Sequence, residues 1–196
     1  MLRNIFIIIF LSGFGLSPSY AEIDPWKESY RLEKIYQYDA AINALKSVSV
    51  DNELAKLRRG WLNYLKGSHS KAIEHYTFAI KSNSNSIDAR LGIILPLLEQ
   101  RRWREAALNA NRVIEVSPWN YYAHIRLMRA EEALKQWEEL SKHASAVHQR
   151  YPSDATVLIY LARANLRLDN RQAAKNYYGK VLELLPENFE ARQYSN

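Results

Sequence analysis

Cysteine is absent from the 196-residue chain, so it can build no disulfide framework, thiolate nucleophile, thiolate zinc site or acylated cysteine. Glycine and proline are scarce, at 6 residues each, which excludes collagen-like or Gly/Pro-rich disordered chains. The few glycines form no Gly-x-Gly-x-x-Gly turn, no phosphate-cradling loop and no Gly-x-Ser-x-Gly elbow. No Asn-x-Ser/Thr acceptor occurs, so nothing marks an N-glycosylated product. The histidines are His69, His75, His124, His143 and His148. None forms the His-Glu-x-x-His pattern that would set two imidazoles and a base on one helix face, and all read as separate surface or packing groups. No cofactor, metal or catalytic constellation is expected, and the chain reads as non-enzymatic. What is present is 47% hydrophobic, 12% aromatic and 24% charged, a composition that can bury a core.

Residues 1–21 read as an export segment. Arg3 supplies the positive start, Ile5 to Leu16 the apolar stretch and Ser19-Tyr20-Ala21 a small-x-small cleavage site. Ser12, Gly13, Gly15 and Pro18 interrupt the run well before the roughly 20 apolar residues that a spanning helix needs. Cleavage would start the mature chain at Glu22 and remove only one charge, Arg3. An exported chain without cysteine or glycosylation acceptor fits the bacterial periplasm, with secretion or anchoring by an uncleaved segment as the alternative.

An internal period governs the remainder. Ala72, Ala106, Leu140 and Ala174 recur at one fixed step, as do Ala79, Val113, Val147 and Val181. Tyr76, Ala110, Ala144 and Tyr178 keep the same step, and so do Pro118, Pro152 and Pro186. Four blocks follow, 53–86, 87–120, 121–154 and 155–188, each with two runs of helically spaced apolar residues. Proline at a block end stops the second helix and restricts the residue before it. One such hairpin cannot bury its apolar stripe alone, and stacking several buries a continuous core. Pro96 falls inside the first helix of 87–120, with Gly92 four residues earlier, so a kink near Gly92 to Pro96 that opens the groove is expected, with local packing accommodation of the proline as the alternative.

A helix–turn–helix of this length, with Trp103 or Trp137 opening the second helix, Ala or Tyr inside it and proline near its end, resembles the tetratricopeptide repeat (TPR). The resemblance implies an all-α, right-handed solenoid of four full repeats. Residues 22–52 then form a degenerate N-terminal repeat, with Tyr38, Ala41, Ile42, Leu45 and Val48 in its second helix, and 189–196 form a short C-terminal cap. It also implies that partners lie on the concave side, contacted by the first helices. Carried onto this chain, the groove residues are Leu57, Trp61 and Tyr64, then Leu91 and Leu95 with Asp88 and Leu98. Tyr122, Arg126 and Arg129 follow, then Arg163 and Arg167. The family's carboxylate clamp does not fit, because Leu57, Trp61, Gly92 and Tyr122 stand where it uses Lys and Asn.

The first half of this set is apolar and the second basic. It predicts a partner segment with apolar side chains near Trp61 and Tyr64 and an acidic group near Arg126, Arg129 and Arg163. The expected role is a protein-binding scaffold in the cell envelope, serving assembly, maturation or secretion and holding another exported or outer-membrane protein. Nucleic acid is disfavoured by export. Binding of an anionic glycan or lipid by the basic half is the alternative, because Arg with Trp and Tyr suits sugars and acidic groups. Self-association through the end repeats, with Phe189 and Tyr194, is a further expectation.

Overall fold

A computed structural model describes residues 24–194, in which every regular element is helical. The expected cleavage site lies outside the described residues, as do residues 195–196. The chain runs through α1 (Pro25–Lys34), α2 (Tyr38–Ala44) with a 3-10 turn at Leu45–Ser47, α3 (Glu53–Leu65) and α4 (His69–Ser82). It continues through α5 (Ile87–Glu99), α6 (Trp103–Val116), α7 (Tyr121–Ala133) and α8 (Trp137–Arg150). The last helices are α9 (Ala155–Arg167), α10 (Arg171–Leu184) and α11 (Phe189–Tyr194). Consecutive helices pack in pairs, and α3, α5, α7 and α9 also lie side by side, so the first helices of successive pairs share one face of the stack.

Each first helix begins on a polar cap at the repeat step. Asn52, Ser86, Asn120, Asp154 and Asn188 accept from the backbone N–H groups of Ala55, Ala89, Ala123, Val157 and Ala191 at 2.9 to 3.3 Å. Each cap satisfies a donor that the helix itself leaves free. The turn to the second helix uses a left-handed residue at the same step, Gly67, Arg101, Lys135 and Asp169. The following N–H reaches back to Asn63, Leu97, Glu131 or Asn165 at 2.8 to 3.0 Å, which closes the helix end. Only the first of these turns carries glycine, so the other three hold a side chain in a conformation that disfavours one.

The columns seen in the sequence are the core. Ala72, Ala106, Leu140 and Ala174 are buried, as are Ala79, Val113, Val147 and Val181. Bulk is traded across each pair. Gly60 faces Tyr76, Ile94 shares a cluster with Ala110, Met128 with Ala144 and Ala162 with Tyr178. A large side chain on one helix thus meets a small one on the other, which keeps interhelical volume roughly constant at native packing density. Pro96 is buried within α5, which continues past it to Glu99.

Two histidines are bonded to each other, contrary to the reading of separate groups. His124 Nε2 lies 2.9 Å from the Pro118 carbonyl, which can only accept, so that nitrogen carries the hydrogen. Its Nδ1 lies 2.9 Å from His143 Nε2, and His143 Nδ1 sits 2.9 Å from Glu131 Oε2. This chain ties the end of one repeat to both helices of the next. Burial, first among the influences on it, lowers the pKa of His124.

At the C-terminal end Arg163 grips Glu190 of α11 through two hydrogen bonds, Nε to Oε1 at 2.8 Å and Nη2 to Oε2 at 2.6 Å. Its Nη1 meets Glu132 at 3.2 Å, and the Tyr178 hydroxyl donates to Glu190 at 2.6 Å. The Tyr194 ring stacks on Tyr178 at 5.5 Å, while Phe189 is exposed.

Candidate functional site

The shared face carries a cleft of about 710 Å³ between α1, α3 and α5. Leu54, Leu57 and Trp61 of α3 form one wall and Leu91, Gly92 and Leu95 of α5 the other, with Tyr76 of α4 between them. Trp26 and Tyr30 of α1 close the N-terminal side, and Arg126 of α7 bounds the opposite side. The spacing explains the wall. Positions 54, 57, 58 and 61 fall on one face of α3, and 88, 91, 92 and 95 on one face of α5.

A hydrogen-bonded charge cluster holds α1 in place. Glu33 accepts from the Trp61 indole N–H at 2.8 Å through one oxygen and from Arg58 through the other. Arg58 is buried and also donates to the Ser29 carbonyl at 3.0 Å and the Ser29 hydroxyl at 3.2 Å. Its guanidinium lies 3.9 Å from the centroid of the Tyr30 ring. A buried cation is tolerated when it is paired and hydrogen-bonded, and here each of the three guanidinium nitrogens donates to an oxygen. Trp61 is therefore fixed by its polar edge, leaving its ring as cleft wall.

Arg126 is different. It donates to the Leu91 carbonyl at 2.7 Å and stands 5.7 Å from the Tyr122 ring centroid, with no carboxylate partner among the described residues. Burial pulls its pKa below the ordinary arginine value, with Tyr64, Tyr76 and Tyr122 acting in the opposite direction. Burial also drives the Tyr76 hydroxyl well above the usual tyrosine range, so that hydroxyl stays protonated.

Of the residues expected in the groove, the cleft brings together Leu57, Trp61, Asp88, Leu91, Leu95 and Arg126. Tyr64 packs against the core with its ring 5.7 Å from that of Trp61, and Leu98 is buried in the core. Tyr122 is exposed beyond the cleft. Arg129 pairs with Glu99 at 3.2 Å, and Arg163 is held by Glu132 and Glu190. Arg167 lies 5.7 Å from the Trp137 ring centroid, beside a small hollow of about 150 Å³ that Arg163 and Tyr178 also line. Of the four arginines of the basic half, Arg129 and Arg163 are thus paired with the chain's own acids, and Arg126 and Arg167 form no ion pair among the described residues. Trp26, Tyr30, Glu33 and Arg58 were not read from the sequence, although Trp26, Tyr30 and Glu33 at helical spacing mark one face of α1.

Among the described residues no cluster of three or more His, Asp or Glu is placed to hold a metal ion. No described helix is long and apolar enough to cross a membrane.

Among solved structures, MamA from Desulfovibrio magneticus RS-1 superposes with a TM-score of 0.77 at 18% identity, covering 84% of this chain and 95% of its own. YrrB, described as a TPR protein with an unusual peptide-binding site, gives 0.74 at 15% identity over 87% of this chain and 90% of its own. A tetratricopeptide repeat protein from Parabacteroides merdae ATCC 43184 gives 0.78 at 12% identity, covering 87% of this chain and 69% of its own. The chain has the TPR fold. At these identities the likeness concerns fold alone. No family model matches the sequence, and no curated protein matches it.

Proposed function

We propose that this TPR protein is a docking scaffold that holds an apolar segment of a partner protein in the cleft between α1, α3 and α5. The fold is a typical non-enzymatic interaction scaffold, and protein partners are what it holds in general. The observation that carries the reading is the cleft itself, an apolar wall built by three first helices, with Arg126 at one end meeting no carboxylate among the described residues. A partner side chain would settle against Trp61, Leu57, Leu91 and Leu95, and an acidic group beside it would reach Arg126. The peptide-binding site named for YrrB supports such a use of the fold.

Arg129 and Arg163 leave this role because each already meets a carboxylate of the same chain. The same pairing weakens the alternative of glycan or lipid binding by the basic half. We place the partner among exported or outer-membrane proteins, in an envelope assembly, maturation or secretion process, because residues 1–21 have the composition of a cleaved export segment. The intact mass of protein recovered from the native cell tests that placement. A chain starting at Glu22 supports it, and a chain retaining Met1 opposes it.

A displayed random-peptide library selected on the full chain tests the cleft. Recovered peptides should share an apolar residue near an acid and lose binding to Leu57→Asp, whose half-buried position lets the helix persist. Peptides that bind Leu57→Asp equally would overturn the reading.

A further inference from the structure

A second cleft, of about 700 Å³, lies on the other side of α3. At about 100° per residue, Lys56 and Arg59 project opposite to Leu54, Leu57, Arg58 and Trp61, so the two clefts are back to back across one helix. The second is closed by Lys46 and Val50 from the segment after α2 and by Phe78 and Lys81 of α4. Its apolar surface comes from Phe78 and Val50, which are 46% and 72% exposed, and from the aliphatic stems of the lysines.

The cations here are not paired. Lys46, Lys56, Arg59 and Lys81 line the cleft against one acid, Asp51, and none of the four forms an ion pair among the described residues. Arg58, one residue along, is by contrast paired with Glu33. Arg59 is held in place by donating to the Leu45 carbonyl at 2.8 Å and the Val48 carbonyl at 3.1 Å. Lys56 is aimed by a 2.8 Å bond to the Ser82 hydroxyl. Two of the cations are therefore positioned by neutral groups that leave their charge uncompensated. His75 adds a part-buried wall; burial lowers its pKa, with Glu74 opposing that shift and Arg59 and Lys71 reinforcing it.

We propose that this cleft binds a single-chain amphipathic anion, with its acidic head among Lys56, Arg59 and Lys81 and its hydrocarbon body along Phe78 and Val50. The volume suits one such molecule, since small-ligand sites run to roughly 300–1,000 Å³. The combination of fixed cations with an exposed aromatic floor selects for both halves of the ligand. A free inorganic anion leaves the apolar floor unused, and a neutral amphiphile leaves the cations unmet. Either a carboxylate or a phosphate head satisfies the charges. The site is independent of the docking cleft and survives if that reading fails.

Calorimetric titration of the full chain with dodecyl phosphate and with laurate, each below its micelle concentration, tests the site. One-to-one binding of either anion is expected, and the head that binds identifies the source chemistry. Lys56→Glu with Lys81→Glu should weaken binding about tenfold or more, a change of roughly 1.4 kcal/mol, while Lys56→Arg with Lys81→Arg retains it. These side chains reach solvent, so the melting temperature serves as the folding control. Failure of both anions to bind, undiminished binding by the Glu variant, or equal binding of dodecyl maltoside overturns the proposal. Adsorption to phosphatidylglycerol vesicles without binding of either monomeric anion also overturns it, in favour of a membrane-facing surface.

Discussion

The ring of Tyr76 occupies the space that Gly92 leaves by having no side chain: a Cβ on Gly92 would lie 2.2 Å from Tyr76 Cε1 and 2.4 Å from Cζ. The same ring lies against Gly60, where a Cβ would fall 2.9 Å from Cζ. One buried tyrosine thus packs α4 against two first helices at the back of the docking cleft. Gly92→Ala should destabilise the protein by about 1–3 kcal/mol through overpacking. Gly179→Ala, in α10 with nothing within 4 Å of the new Cβ, should stabilise it by about 0.5–1 kcal/mol. Urea denaturation of both variants checks the pair, and equal effects would show that the tyrosine contact does not set the packing.

The trade of bulk across each pair makes a coupling prediction. Ala144→Tyr alone should overpack against Met128, and Met128→Ala alone should leave a cavity, each costing about 1–4 kcal/mol. The double variant reproduces the Ala162 with Tyr178 arrangement of the next pair and should cost clearly less than the sum of the two. A double-mutant cycle with additive energies would count against volume compensation as the rule of this stack.

Acid should weaken the fold in two windows. Burial lowers the pKa of His75, His124 and His148 below 6.5. The unfolded chain therefore binds protons first as pH falls, and stability drops from about pH 6.5 downward. Glu190 is held below 4.5, chiefly by the hydrogen bond from Arg163, so its contribution is present above that pH and is lost as pH falls through its folded value. Denaturation midpoints measured from pH 8 to pH 3 should decline through both windows. A midpoint unchanged between pH 8 and pH 5 would contradict the histidine account.

Arg163 acts as a clasp for the C-terminal helix. Arg163→Ala should release α11 and expose the Tyr178 side of α10, with a loss of about 1–2 kcal/mol appropriate to a part-exposed bidentate pair. Hydrogen exchange should quicken in 189–194 and stay unchanged in α3 to α5. Uniform quickening would show that the clasp is not local.

The 34-residue step was legible because a stack repeats the same contact, and a repeated contact recurs as a column of alanine, valine and proline. The capping column Asn52, Ser86, Asn120, Asp154 and Asn188 is equally periodic, but its role rests on hydrogen bonds that only the folded chain shows. The groove positions implied by the family resemblance place Leu57, Trp61, Leu91, Leu95 and Arg126 at the cleft. Periodicity alone states only which side of a helix a residue occupies. It does not state which acid arrives from 27 or 31 residues away, as Glu190 and Glu132 do at Arg163. The bonding of His124 to His143 escaped for the same reason, since their 19-residue separation brings α7 and α8 together only in the folded chain.

The central claim is that a partner protein lies in the cleft walled by α3 and α5. Photo-crosslinking side chains placed at Leu54, 65% exposed at the cleft, and at Leu108, 58% exposed on α6 away from it, test this most directly in the native cell. One discrete protein adduct from position 54, absent from position 108 and lost when Leu95→Asp is added, is the predicted result. Adducts of the same protein from position 108 alone, or from both positions regardless of Leu95→Asp, would contradict it.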